Sequence, residues 1–347
     1  KVLALLPPEW LCTSLVAWQQ VPASRNKVAS WFDQHLLDQF PGSLQHISSE
    51  KYAPHLYDRP GTYAKIYIRH GKAEHLQAAL RSADFYVQHL GDDGFFTMKP
   101  RDHKYVYAEG TALLYLLTGD DRYRDAVILG LTSWEKWAPI KYGGEGFWTE
   151  RHAAFAMAAY IHTYELTGDI ALIDAAVVLF DGVFRLQVNP LDGGPPDGAW
   201  LHTAESHGDG NGWTTSPWMS ALLMDSIWKL WMLTGDERCP ASLAMYAKFI
   251  DRHAVTVDRK RLYYMANSPG RGESLNPEYP PHHLEACYIL AMGYYLSGGS
   301  DASLLDTLQG LWPPLMDDNA NTPPRKFSWR FRETSMLVWF LNEMDKE

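Results

Sequence analysis

The chain keeps ending helices in the same way. "YLLTGDDRYRDAV", "YELTGDIALIDAA" and "WMLTGDERCPASL" carry Thr-Gly-Asp at Thr118–Asp120, Thr167–Asp169 and Thr234–Asp236. "YIRHGKAEHLQAA" and "YYLSGGSDASLL" are weaker copies centred on Gly71 and Gly298. A unit repeated at this scale is the mark of a repeat architecture. Apolar residues precede each ending at helical spacing, as with Ala154, Met157, Ala158 and Ile161. Gly then supplies a left-handed residue that stops the helix, and the Asp or Ser after it can cap the next one. Each copy therefore predicts a helix, a tight turn and an antiparallel helix. The second helices are expected over Ala73–His89, Arg122–Trp137, Ile170–Leu186, Glu237–His253 and Ala302–Leu311, with the richer polar faces of an outer layer.

Long Gly-, Pro- and aromatic-rich loops join one hairpin to the next, among them "GDDGFFTMKPRDHK", "NPLDGGPPDGAWLHTAESHGDGNGWTT" and Ala254–Pro281. All precede first-layer helices, so they should collect at one end, where loops of such length are usually functional. A short hairpin in "AVTVDRKRLYYMAN" is the main strand expectation. Ser24–Phe40 reads as an outer helix and Trp329–Asp345 as an inner one. Their pairing would close a ring of six hairpins, or seven if Glu9–Gln19 joins. The expectation is one all-α domain over residues 1–347, with 1–23 as an N-terminal segment or extra helix.

Charge and composition narrow the partners. The net charge of -10 argues against a general nucleic-acid binder, which would present a basic face. No apolar run is long enough for a membrane helix. Cys12, Cys239 and Cys287 are far apart, so a disulfide framework or thiolate zinc site is not expected. No cofactor is expected either. "KVLALL" is too short, and too soon followed by Pro7 and Pro8, to be an intact signal peptide; a secreted or periplasmic location is expected nonetheless. The 14 Trp and 19 Tyr exceed what helix packing needs, which leaves aromatics in loops to explain.

This pattern resembles the (α/α) toroid of carbohydrate-active enzymes, with "LTGD" endings similar to those of bacterial polysaccharide lyases, alginate and polyuronate lyases among them, and of glycoside hydrolases. The resemblance spans about Arg25 to Met344. It implies an (α/α)6 or (α/α)7 ring with a substrate cleft at the loop end, lined by sugar-stacking aromatics.

Candidate site residues stand at the starts of the first-layer helices. "YDRPG" offers Tyr57, Asp58 and Arg59, an acid and a base that could bind sugar hydroxyls or simply pair with each other. "KYVYAEG" offers Tyr105, Tyr107 and Glu109; an acid inside an apolar segment needs a partner or a catalytic role. "GFWTERHAAF" offers Trp148, Glu150, Arg151 and His152; a His at a helix N-terminus tends to stay neutral and able to accept a proton. "WLHTAESHGDGNGWTTSPW" offers His202, His207, Asp209, Asn211, Trp213 and Trp218. Metal binding by its histidines and Asp209 is weighed and not adopted, because the spacing matches no zinc pattern. Further along stand Tyr263, Tyr264, His282, His283 and Glu285, and then Arg330, Arg332 and Glu333 in "WRFRE".

Two chemistries compete. β-Elimination on an acidic polysaccharide, alginate- or glucuronan-like, needs a carboxylate clamp, a base and an acid. Toroid lyases draw these from Asn or Glu, His, Arg and Tyr. The expectation is His207 with Tyr264 for proton transfer, Arg151 and Asn211 on the carboxylate, and Glu150 and His152 beside them. A glycoside hydrolase would instead need two carboxyl groups flanking the bond, from among Asp58, Glu109, Glu150, Asp209 and Glu285. A non-catalytic sugar-binding ring is the third reading. Oligomeric state is left open.

Overall fold

The structure is a computed structural model that describes residues 4–137, 149–203, 212–271, 282–317 and 324–345. Its helices are α1 (Pro8–Thr13), α2 (Ser30–Ser43), α3 (Arg59–His70), α4 (Ala73–Gln88), α5 (Glu109–Thr118), α6 (Asp121–Trp137) and α7 (Glu150–Thr167). They continue as α8 (Ile170–Val188), α9 (Pro217–Thr234), α10 (Arg238–Phe249), α11 (His283–Leu296), α12 (Ala302–Asp317), α13 (Pro324–Phe331) and α14 (Met336–Met344). Among the described residues the strands are β1 (His202–Thr203) and β2 (Trp213–Thr214), paired antiparallel. No helix of the described residues is long and apolar enough to cross a membrane.

The repeated ending works as its chemistry predicts. The N–H groups of Gly71, Gly119, Gly168 and Gly235 each donate to the carbonyl four residues back at 2.7 Å. All four glycines are left-handed, with φ between 64° and 73°. Thr118, Thr167 and Thr234 turn their hydroxyls back to the carbonyls of Leu114, Thr163 and Leu230. Each hydroxyl then accepts from the amide of the following Asp. Asp120 and Asp236 go on to accept from the amides of Arg122 and Arg238. One tripeptide thus closes one helix and aligns the next.

First-layer helices are buried nearly all round, which is what an inner element requires. In α9 every residue from Pro217 to Leu230 is buried, and in α11 every residue from His283 to Gly293. Their partners α4, α6 and α10 alternate buried and exposed positions. Fully burying one large apolar side chain stabilises by about 1.5–3 kcal/mol, and Trp134, Trp200 and Trp228 are each buried to at least 99%.

Contacts gather the chain into two compact units, Lys1–Trp137 with Ala158–Asp169 and Asn319–Glu347, and Ala138–Met157 with Ile170–Asp318. In the first unit the terminal segments pair as expected: Phe32 meets Phe331 edge-on at 5.8 Å, and Phe40 meets Phe327 at 6.5 Å.

The terminal helices differ from expectation for specific reasons. The N-terminal one starts at Ser30, not Ser24, because the Asn26 side chain holds both the carbonyl and the amide of Ala29 in a loop. The segment over Glu9–Gln19 is helical only as Pro8–Thr13, and Leu15 and Trp18 beyond it are left-handed. The C-terminal segment begins earlier, at Pro324, and breaks between Phe331 and Met336. There the Arg332 carbonyl accepts from Lys65 Nζ at 2.7 Å, and the Thr334 hydroxyl donates to the Arg330 carbonyl. The expected hairpin in "AVTVDRKRLYYMAN" is one antiparallel bridge, Val255 to Leu262.

Candidate functional site

Titratable side chains mark the starts of α3, α5, α7 and α11. In the first unit they face inward. Tyr57 and Asp58 are both left-handed, with φ of 64° and 41°, uncommon for non-glycine residues and costly for a bulky ring. That turn lets one carboxylate cap two helices: Asp58 Oδ1 accepts from the Gly61 amide and Oδ2 from the Gly110 amide, both at 2.9 Å. The approach is so close that a Cβ on Gly110 would lie 2.2 Å from Asp58 Oδ1. Burial pushes the Asp58 carboxyl up from its ordinary range; Arg332 and the two amides oppose the shift, and the nearby Glu109 adds to it.

Glu109 opens α5 and is fully buried. Lys65 Nζ lies 2.9 Å from its Oε2, and the Arg332 guanidinium 3.7 Å away. Arg59 does not turn to Asp58. It donates to the carbonyls of His46 and Ser43 and to the Tyr63 hydroxyl. Tyr107 donates its hydroxyl to the His55 carbonyl. Tyr57 packs against Trp329 at 5.5 Å, and Tyr105 meets Tyr52 edge-on at 5.9 Å. Arg330 is buried in the last turn of α13.

In the second unit the helix starts build a different arrangement. Glu150 opens α7 and is fully buried. His202 Nδ1 lies 3.0 Å from its Oε2, while the Thr215 hydroxyl and Ser216 amide donate to Oε1 at 2.6 and 3.0 Å. Burial alone would raise this carboxyl; His202 and the Thr215 hydroxyl outweigh it and hold Glu150 below its usual value. The short hairpin supplies the geometry, since His202 pairs with Thr214 and Thr203 with Trp213.

Above this anchor lies an aromatic cluster. The Arg151 guanidinium sits 5.9 Å from the Trp218 ring centre. His282 stacks on Trp218 at 5.0 Å and 17°, and Tyr264 stacks on it at 5.8 Å. His282 and Tyr264 are 6.3 Å apart. Glu285, one turn into α11, holds His282 Nδ1 at 3.1 Å. The His152 Nδ1 bonds the Thr149 hydroxyl at 2.9 Å. Tyr264, Tyr263 and Trp213 are half-buried, so they offer ring surface to a ligand. Trp213 also borders a cavity of about 380 Å³ lined by Asp192, Pro195, Ser268 and Arg271.

The second unit thus brings Glu150, Arg151, His152, His202, Trp218 and Tyr264 into one neighbourhood, with Trp213 and Tyr263 near it. Trp148, His207, Asp209 and Asn211 lie outside the described residues, and with them the expected His207–Tyr264 pair. Among the described residues no cluster of His, Cys, Asp and Glu forms a metal site. Sequence reading gave no role to Lys65 or Thr215. A lysine inside the apolar "TYAKIYIRH" was the available signal for the first, and nothing local marks the second.

No family model matches the chain, and no curated protein does. Solved structures do. A glycosyl hydrolase family 88 protein from Bacteroides vulgatus matches with TM-score 0.60 at 12% identity, over 88% of this chain and 99% of that one. An unsaturated glucuronyl hydrolase from Streptococcus agalactiae, complexed with dGlcA-GalNAc6S, matches with TM-score 0.59 at 11% identity, over 98% and 97%. A cellobiose 2-epimerase from Bacillus thermoamylovorans matches with TM-score 0.58 at 14% identity, over 85% and 88%. The fold is that of the (α/α)6 toroids.

Proposed function

We propose that this chain is a carbohydrate-active enzyme that hydrolyses a glycosidic bond at an acidic sugar. The observation that carries the reading is the His282–Glu285 pair stacked on Trp218 beside Arg151 and the half-buried Tyr264. A carboxylate on one imidazole nitrogen fixes the ring's orientation, and an imidazole so placed can carry a proton to or from a sugar. Arg151 presents a planar fork suited to a sugar carboxylate. Tyr264 and Trp213 offer ring faces to the sugar. Glu150 holds the floor of the site as an ionised anchor.

Hydrolysis is preferred to β-elimination because the full-length fold likeness runs to glycosyl hydrolase family 88 and an unsaturated glucuronyl hydrolase. That likeness supports the reading; it does not supply the residues. One observation favours a second reading, removal of a proton beside the sugar carboxylate, as in elimination or epimerisation: His282 and Tyr264, two proton carriers, stand 6.3 Å apart.

A single pair of assays separates them. Oligosaccharides ending in an unsaturated uronyl group should lose their ultraviolet absorbance under hydrolysis, as the released enol sugar opens to a keto acid. Intact polyuronate should gain that absorbance under elimination. His282→Ala should lower kcat by about 10²–10⁴-fold. Gain of absorbance from polyuronate, with no action on unsaturated ends, would replace hydrolysis with elimination.

A further inference from the structure

In a chain of net charge -10, one stretch of the first unit carries cations without carboxylate partners. Lys99 Nζ lies 4.6 Å over the Tyr52 ring, and the Arg325 guanidinium 4.6 Å over the Trp329 ring. Tyr105 meets Tyr52 edge-on at 5.9 Å, and α13, which carries Arg325 and Trp329, packs against the turn at Ala53–His55 that follows Tyr52, which links the two pairs. Arg101, two residues from Lys99, is exposed. Among the described residues, Lys99, Arg101 and Arg325 make no ion pair; Asp102, the acid within this stretch, is taken by Lys104 at 3.3 Å. Glu50, the next acid beside Tyr52 in sequence, is followed by the exposed Lys51.

A ring face under a cation orients it without neutralising it. An arginine or lysine so held keeps its donors for an anion and loses less side-chain freedom on binding. Tyr52 is 44% exposed and leaves apolar edge beside the charges, which suits a sugar ring carrying acidic groups. We infer that this face binds an anionic oligosaccharide through its carboxylate or sulfate groups, outside the Arg151–His282 site. The inference rests on the acidic-sugar reading above. A nucleic acid is the other polyanion that aromatic and basic residues could take, and the acidic charge of the chain as a whole disfavours it.

The test is equilibrium binding of a chondroitin sulfate hexasaccharide, measured by calorimetry on the full chain in its His282→Ala form, where turnover is removed. Binding should weaken steeply as salt rises. Adding Lys99→Ala and Arg325→Ala should weaken it by about tenfold or more, with an unchanged thermal melt, and Lys99→Arg should keep it. Unchanged affinity in the double alanine variant overturns the inference. So does equal binding of neutral maltohexaose, or of a single-stranded oligothymidylate. With the unsubstituted chain assayed alongside, salt-dependent binding without any hydrolysis would sink the proposed reaction alone; hydrolysis without salt-dependent binding would sink this surface alone.

Discussion

The two units place charged residues at the same point of the repeat, the start of a first-layer helix, and use them in opposite ways. In the first unit Asp58, Arg59 and Glu109 are turned onto backbone amides, carbonyls and a buried lysine. In the second, Arg151 and His282 are laid against a shared indole, with half-buried aromatic surface beside them. Residue type does not separate the cases, since both sets mix acids, bases and aromatics. What separates them is the partner each side chain meets. At Gly61 and Gly110 the backbones nearly touch and a carboxylate seals the gap. In the second unit Arg151 and His282 both meet the Trp218 ring.

The largest effects should come from unsealing the first unit. Glu109→Gln removes the carboxylate 2.9 Å from buried Lys65 Nζ, and should cost about 3–5 kcal/mol in denaturant unfolding. Gly110→Ala should be at least as damaging, because its Cβ must displace Asp58 from both amides. Near-native stability in both variants would mean that this cluster holds nothing together.

Next comes the second unit, where activity should fall and stability should not. Glu285→Gln loosens the carboxylate contact that orients the His282 ring, so kcat should drop by about 10-fold or more while the unfolding midpoint stays put. Arg151→Lys should raise KM with little change in kcat, since an ammonium cannot grip a carboxylate with two parallel bonds. A kcat loss with unchanged KM in Arg151→Lys would assign that residue to the reaction and not to binding.

Why the sequence showed the hairpins and not this contrast is a matter of range. Thr118, Gly119 and Asp120 act on atoms within a few residues of themselves, so the motif can be read locally. Five second helices were therefore placed to within about a turn at their starts. The contact of Glu150 with His202 and Thr215 spans 52 and 65 residues, and no local pattern predicts it. The C-terminal break was invisible for the same reason: its cause is Lys65, at a sequence distance of 267 residues. "YDRPG" misled more directly. Adjacent acid and base suggested one pair, whereas left-handed backbone at Tyr57 and Asp58 sends the two side chains to different partners.

Acid titration should sharpen the comparison at a smaller scale. His55 and His75 in the first unit and His283 in the second are each pushed down to about 4, chiefly by burial. The unfolded chain takes up protons below about 6.5 that the fold refuses until near 4. Stability should therefore fall as pH drops across that window, in either unit. Two buried carboxyls part company. Glu150 is lowered in the fold, so its contribution is present above about 4.3 and is lost as pH falls through the folded value. Asp58 is raised, so its contribution is full below about 3.9 and is lost as pH rises through the folded value. Glu150→Gln should flatten the acid limb of a stability–pH curve, and Asp58→Asn should steepen it. Equal slopes in the two variants would erase the distinction.

The smallest expected difference is the most informative about the repeat. Gly119 ends α5 in the first unit and Gly235 ends α9 in the second, with φ of 64° and 68° and open space where a Cβ would go. Alanine at either should cost only the left-handed conformation, about 1–2 kcal/mol, and the two costs should agree within roughly 0.5 kcal/mol. Gly71 is the control, since a Cβ there would lie 2.8 Å from Pro8 and its replacement should cost more. Equality at Gly119 and Gly235 would show that the units are interchangeable at their turns and diverge only where their helices begin. A clear inequality would mean that the turn also answers to its unit, and that the divergence runs the length of the hairpin.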